Sequence, residues 1–232
     1  MQLRQVLFSQ GFGTRRECEA LILSGLVHVG GRAVDDPGAE LSTDGLVFSV
    51  RGQAWPFHAT ALLMMNKPAG YECSRKPRHH PSVLGLLPEP LRMREVQPVG
   101  RLDEDTTGLL LFTDDGALMH KLTSPRRHVP KVYEVVCAEP VTPAQQARLL
   151  DGVVLRDDPA PVRAAACEAC DDARIRMTLT EGKYHQVKRM LAAVGNRVVA
   201  LRRIAFGELR LPQDLAEGRW RWVARDAIAP GL

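Results

Sequence analysis

Leu3, Val6 and Leu7 fall at helical spacing near the start of the chain, and Gly11 ends the run. Thr14-Arg15-Arg16-Glu17 then has the form of a capping box. The Thr14 hydroxyl would cap a second helix, and Glu17 would reach back to the Thr14 amide. Cys18, Leu21 and Ile22 supply that helix with a buried stripe, and Gly25 stops it. Leu26 to Val29 reads as a short strand, Gly30-Gly31 as a hairpin turn, and Arg32-Ala33-Val34 as the return strand. After a turn at Asp36-Pro37-Gly38, Leu46 to Val50 forms a further strand. Residues 51–61, RGQAWPFHATA, lack periodicity and read as a linker.

Beyond the linker, Leu62 to Met65 reads as a buried strand running into a turn at Asn66-Lys67-Pro68-Ala69-Gly70. Leu109 to Phe112 is an apolar run bounded by Gly108 and by Asp114-Asp115-Gly116, hence a second buried strand and a turn. Lys131 to Val136 and Arg174 to Thr180 alternate as half-buried strands do, and Val198 to Leu201 and Glu208 to Leu211 are further strands. Thr142-Pro143-Ala144-Gln145 opens a capped helix that Gly152 stops. Val187, Met190, Leu191 and Val194 line one face of another helix, ended by Gly195. Strands outnumber helices, so the pattern predicts an α+β fold with a mainly antiparallel sheet. The domains expected are a small module over 1–55 and a larger domain over 60–232.

Composition narrows the classes. The 232 residues are 45% hydrophobic, enough for packed cores, and no stretch approaches the ~20 apolar residues of a membrane span. The opening MQLRQVLFSQGFG has no long apolar run, so a cytoplasmic protein without a secretory signal is expected. A net charge of +4 permits a nucleic acid or membrane-surface partner without requiring one. The cysteines Cys18, Cys73, Cys137, Cys167 and Cys170 are odd in number and scattered, as expected of reduced thiols. Cys167 and Cys170 have the spacing of half a zinc site, but no second ligand pair follows. His120, His128 and His185 show no ligand spacing either, so no metal is expected.

The densest chemical signal is Gly100-Arg101-Leu102-Asp103-Glu104-Asp105-Thr106-Thr107-Gly108, an acidic loop feeding an apolar strand. Such a loop puts a carboxylate at a strand edge. By itself it fits a metal site, a carboxylate pair for glycosidic chemistry, or a plain polar loop.

Two resemblances separate these readings. GFGTRRECEALILSGLVHVGGRAV resembles the small RNA-binding module named after ribosomal protein S-four, although Gly30 stands where that turn usually carries Asn or Asp. Arg15 and Arg16, in the first turn of a helix, would meet phosphate there. GRLDEDTTGLLL resembles the catalytic motif of pseudouridine synthases; NKPAG at 66–70, KVY at 131–133 and EGKYHQVKRM at 181–190 resemble three further motifs of that family, in order. The resemblance implies isomerisation of uridine to pseudouridine without cofactor, with Asp103 as the carboxylate at the sugar and Tyr133 against the flipped base. It implies Lys183 as the basic partner of Asp103, where the family often carries arginine. Arg101 would fill the gap left by the flipped base or touch phosphate. Arg126, Arg127, Lys188 and Arg189 would clamp the RNA backbone.

GYECS, HPSVL, LTSPRRH and EGKYHQVKRMLAAVGN resemble the small-subunit branch of the family. This implies action on one uridine of 16S ribosomal RNA or of a small-subunit assembly intermediate; a monomer is expected because no coiled coil is visible in the sequence. A large-subunit (23S) synthase, a non-catalytic ribosome-binding factor and a carboxylate hydrolase stay open as alternatives.

Overall fold

The computed structural model describes residues 1–156 and 158–228; the last four residues of the expected larger domain lie outside the described residues. The chain divides into two compact units, one of residues 1–61 and 87–97, the other of residues 62–86 and 98–232.

The first unit opens with α1 (Leu3–Ser9) and α2 (Arg15–Leu23). The capping box at Thr14 and Glu17 is present in both directions, and Cys18 and Ile22 are buried. β1 (Val27–Val29) and β2 (Arg32–Ala33) form a hairpin across Gly30 and Gly31, both at positive φ. β3 (Val47–Val50) pairs with β1 and with β4 (Gln53–Pro56), giving the order β2-β1-β3-β4. β4 corrects the expected linker. Arg51 (φ 51°) and Gly52 (φ 80°) make a tight hairpin turn, and Trp55 is 3% exposed with its ring edge-on to Phe12. One inward aromatic, between Ala54 and Pro56, marks this strand, and four residues are too short for hydrophobic alternation to show. α3 (Glu89–Met93) also belongs to this unit, and Leu87, Leu91 and Val96 are buried. The two-residue β6 (Gln97–Pro98) leads the chain back into the second unit.

In the second unit, β5 (Leu62–Lys67), β7 (Thr107–Thr113), β8 (Lys131–Cys137), β11 (Ala166–Ala169), β12 (Arg174–Leu179), β13 (Val198–Phe206) and β15 (Trp220–Trp222) form one sheet. Their order is β11-β12-β8-β13-β7-β5-β15, with β14 (Leu209–Arg210) paired to β13. The pairs are antiparallel except β13 with β7, as expected of a mainly antiparallel α+β domain. β5 runs through Lys67, beyond the expected turn, and all six of its residues are buried. β9 (Val153–Leu155) and β10 (Asp158–Val162) form a separate hairpin. Prolines 159 and 161 hide it in the sequence, because proline argues against a strand unless it sits at an edge.

The helices of this unit cover the sheet. α5 (Pro143–Asp151) carries the expected capping box between Thr142 and Gln145. α6 (Gln186–Ala193) buries Val187, Met190, Leu191 and Val194 in one cluster with Leu149, Ile175, Met177 and Leu201. α4 (Gly116–Thr123) was not expected: Asp115 and Gly116 read as a turn, but the Asp115 carboxylate accepts from the Leu118 amide as a helix cap. Leu118 and Leu122 pack in a second cluster with Leu62, Leu109, Leu111 and Phe206.

The parallel contact places the acidic loop. Arg202 lies opposite Thr107 and Arg203 opposite Gly108. Gly108 sits at φ 101°, and a Cβ there would stand 2.2 Å from the Arg203 carbonyl oxygen. Only glycine allows the two backbones to approach so closely. Gly108→Ala is therefore expected to destabilise the fold by ~2 kcal/mol or more, from overpacking and backbone strain together. A urea melt reads this, and an unchanged midpoint would contradict the close approach.

Candidate active site

Residues 100–106 form the loop that leads into β7. Its shape is held from beneath. The Lys67 side chain is fully buried, and its ammonium donates to the carbonyls of Pro68 (3.0 Å), Asp103 (3.1 Å), Glu104 (3.2 Å) and Thr106 (2.9 Å). Burial lowers the Lys67 pKa, and the nearby Cys73, Asp105, Glu104 and Asp103 oppose that. The Gly70 amide donates to the Glu104 carbonyl, and the Leu102 amide to the Cys73 sulfur. With its backbone tied down, the loop turns the Asp103 side chain into an open cavity of about 400 Å³ lined by Glu72, Cys73, Gly100, Arg101, Lys183 and His185 among others.

Two nitrogen groups from the start of α6 reach Asp103. The Lys188 ammonium is 3.2 Å from Oδ2, and His185 Nε2 is 3.3 Å from Oδ1. Lys188 also holds Asp105, at 2.7 Å. The ammonium thus bridges the two carboxylates that the sequence left open as a metal site. Among the described residues no group of three or more His, Cys, Asp or Glu is arranged to hold a metal ion. Burial raises the Asp105 pKa, but the Lys188 bond and charge outweigh it and the net shift is downward. Lys188 shows the converse: burial works against its charge, the two carboxylates work for it, and its pKa is raised. At neutral pH both partners are charged.

The expected cation, Lys183, is placed differently. Lys183 lines the cavity, but its ammonium is 2.5 Å from Asp158 on β10 and not on Asp103. The reason is the helix entry. His185 takes a left-handed conformation (φ 48°) as the N-cap of α6, and the Lys183 amide donates to the Gln186 side chain. That turn aims Lys183 at the β9–β10 hairpin and brings Lys188, one turn into α6, over the acidic loop. Lys188, read as a backbone clamp, is the lysine that stands against Asp103. His185 was missed as well. Its spacing of three residues before Lys188 puts both on one face of the helix entry, a signal separate from metal-ligand spacing.

Tyr133 is half-buried and lines a second, smaller cavity of about 160 Å³, which shares Gly100, Arg101 and Gly182 with the first. Lys131 and Arg203 line it too, and neither was singled out from the sequence. Arg101 is exposed at the rim of both cavities. Arg126 and Arg127 are exposed on a short 3₁₀ turn after α4, and Arg189 on α6 donates to the Tyr184 carbonyl. In the first unit, Arg15 and Arg16 are exposed in the first turn of α2, with the Arg15 guanidinium 5.4 Å from the centre of the Phe8 ring.

The Glu72 carboxylate organises the opposite wall. It accepts from the amides of His79, His80 and Arg78, which hold its pKa down at about 2. The cysteines are free thiols; Cys167 lies buried on β11 and Cys170 is exposed just beyond it.

Known proteins resemble both parts of the chain. Residues 61–193 match the family described as RNA pseudouridylate synthase, and residues 1–47 match the S4 domain. A Pasteurella multocida (strain Pm70) protein named ribosomal small subunit pseudouridine synthase A is 37% identical over 230 residues, 99% of this chain and 98% of its own. The Escherichia coli (strain K12) protein of that name is 44% identical over 172 residues, 74% of each chain. A Bacillus subtilis (strain 168) protein, named uncharacterized RNA pseudouridine synthase YtzG, is 37% identical over 232 residues, 98% of this chain and 97% of its own. A crystal structure of a pseudouridylate synthase superimposes with a TM-score of 0.70 at 34% identity, over 98% of both chains.

The Lys67 clamp makes its own prediction. Lys67→Met leaves the loop carbonyls without their donor and is expected to cost ~3 kcal/mol of stability. Hydrogen exchange at the Thr106 amide should speed up by more than exchange on β8. Equal acceleration everywhere, or none, would contradict a local clamp.

Proposed function

We propose that this chain, which belongs to the RNA pseudouridylate synthase family, converts one uridine of small-subunit ribosomal RNA to pseudouridine. The observation that carries this reading is the Asp103 carboxylate, turned into a cavity and held by Lys188 and His185 on a loop whose backbone is fixed by Lys67. The small-subunit assignment is supported by the names of the relatives from Pasteurella multocida and Escherichia coli. The reading is of a monomer in the cytoplasm.

The reaction breaks the bond between the sugar and N1 of the base, turns the base, and rejoins it through carbon five. Two courses suit Asp103. As nucleophile, a carboxylate oxygen bonds to C1′ while the C1′–N1 electron pair leaves with the base. As base, Asp103 takes the C2′ proton, the C2′–H pair forms a C1′–C2′ double bond, and the C1′–N1 bond pair leaves on N1 with the base. In both, carbon five of the released base then bonds to C1′, and Asp103 is freed or returns its proton. Carbon five finally loses its hydrogen to water and N1 gains one. The Lys188 ammonium, 3.2 Å from Oδ2, offsets the charge of the Asp103 carboxylate in a site that a bound base would dry.

The uridine must leave the RNA stack to reach this carboxylate, at a cost of a few kcal/mol. Arg101, exposed at the rim of the cavity, is suited to fill the vacated space or to hold the neighbouring phosphate. Tyr133 would face the flipped base. Arg15, Arg16, Arg126, Arg127 and Arg189 would contribute the sequence-independent phosphate contacts.

The test is release of tritium from carbon five of labelled uridine in small- and large-subunit transcripts. The native protein should release it from the small-subunit transcript, and Asp103→Asn should slow release by ~10³-fold or more while still binding RNA. Release from the large-subunit transcript instead would reassign the substrate. Tight binding without release from either would leave a ribosome-binding factor, and free base without tritium release would leave a hydrolase.

A further inference from the structure

The smaller cavity holds a charge arrangement that the steps above do not use. Lys131 and Tyr133 alternate on one face of β8, and Arg203 is the cross-strand partner of Tyr133 on β13. All three line the cavity of about 160 Å³. Arg203 is 2% exposed; its Nε donates to the Leu109 carbonyl at 2.7 Å, and one terminal nitrogen is buried without a hydrogen-bond partner. The Lys131 ammonium donates to the Val129 carbonyl at 3.0 Å. Both cations lie against one ring, 5.4 Å and 5.3 Å from the centre of Phe206. Among the described residues no carboxylate is paired with either.

Two neighbouring cations, one buried with an unmet donor, are costly in the resting protein. The cost shows in Lys131, whose pKa burial and the Arg203 charge bring down to about 8, so that it is still mostly protonated at neutral pH. An anion in the cavity would relieve the repulsion between the two charges.

Resting on the function proposed above, we propose that Lys131 and Arg203 form an anion site beside Tyr133 that stabilises the uracil anion released when the glycosidic bond breaks. The electron pair of that bond leaves on N1, and the charge spreads to the base oxygens. The intact uridine base is neutral and gains little from the two cations, whereas the departing base gains fully, so the interaction lowers the barrier rather than merely tightening binding. The size agrees. The cavity falls below the ~300 Å³ where pockets for drug-sized ligands begin, and suits a single ring. A backbone phosphate is charged before and after bond cleavage, so a phosphate site would give the same two residues a binding role only.

The test uses the full chain and two small probes: uracil, neutral at pH 7, and 5-nitrouracil, which is an anion there. Binding of each is followed by nuclear magnetic resonance, with inorganic phosphate as a third probe. The native protein should favour the 5-nitrouracil anion about tenfold or more, Lys131→Gln should lose that preference, and Lys131→Arg should keep it. No preference in the native protein overturns the proposal without recourse to any variant. Phosphate binding in place of 5-nitrouracil overturns it in favour of a backbone subsite. In the tritium assay, Lys131→Gln should be ~10²-fold slower with unchanged RNA affinity and Lys131→Arg should recover most of the rate; an unslowed Lys131→Gln contradicts the proposal. A native protein that releases no tritium yet prefers the anion would count against the pseudouridine reading alone, since the anion site would still stand.

Discussion

The Lys67 ammonium is enclosed by the carbonyls of Pro68, Asp103, Glu104 and Thr106, and the acidic loop keeps its shape only while that charge stays buried beneath it. A loop carrying Asp103, Glu104 and Asp105 in succession would otherwise repel itself and open to water. Lys67 stands at the end of β5, whose six residues are all buried, so the clamp is anchored in a strand flanked on both sides, by β7 and β15. Gly108 completes the anchoring by letting β7 lie against β13 at backbone contact distance. The loop is thus fixed from below by a charge and from behind by a strand, and only its side chains are left to face the cavity.

Above the loop, charge is balanced a second time. Lys188 is shared by Asp103 and Asp105, and His185 stands at the other oxygen of Asp103. The pair is only partly buried, which limits the desolvation cost of holding three charges together. The smaller cavity shows the reverse condition, with Lys131 and Arg203 in excess and no carboxylate paired with them among the described residues. A carboxylate stabilised by a cation on one side and two cations without a paired carboxylate on the other suit a reaction that separates a sugar from a base leaving with an electron pair.

Much of this was legible in the sequence because it rests on local rules. The capping boxes at Thr14 and Thr142, the stripe on α6 and the apolar runs of β5 and β7 each follow from spacing within one element. What was not legible depends on contacts between distant segments. β4 is held mainly by one tryptophan, β10 carries prolines, and α4 starts with a glycine after a cap that also reads as a turn. The site divides the same way. Asp103 stood out because its loop is dense in chemistry, whereas the choice between Lys183 and Lys188 turned on the left-handed backbone of His185, which sets where α6 begins. Lys67, Lys131 and Arg203 gave no signal because a buried cation in a strand looks like any other charged residue until its partners are known.

The exchange of Lys183 for Lys188 is the point on which this account is most exposed. Single-turnover conversion of uridine in small-subunit RNA by Lys188→Met and Lys183→Met measures it directly. The account predicts a loss of ~10²-fold or more for Lys188→Met, because Asp103 and Asp105 are left facing each other without their shared cation, and a loss under tenfold for Lys183→Met. The opposite ranking, with both proteins folded and bound to RNA, would contradict it.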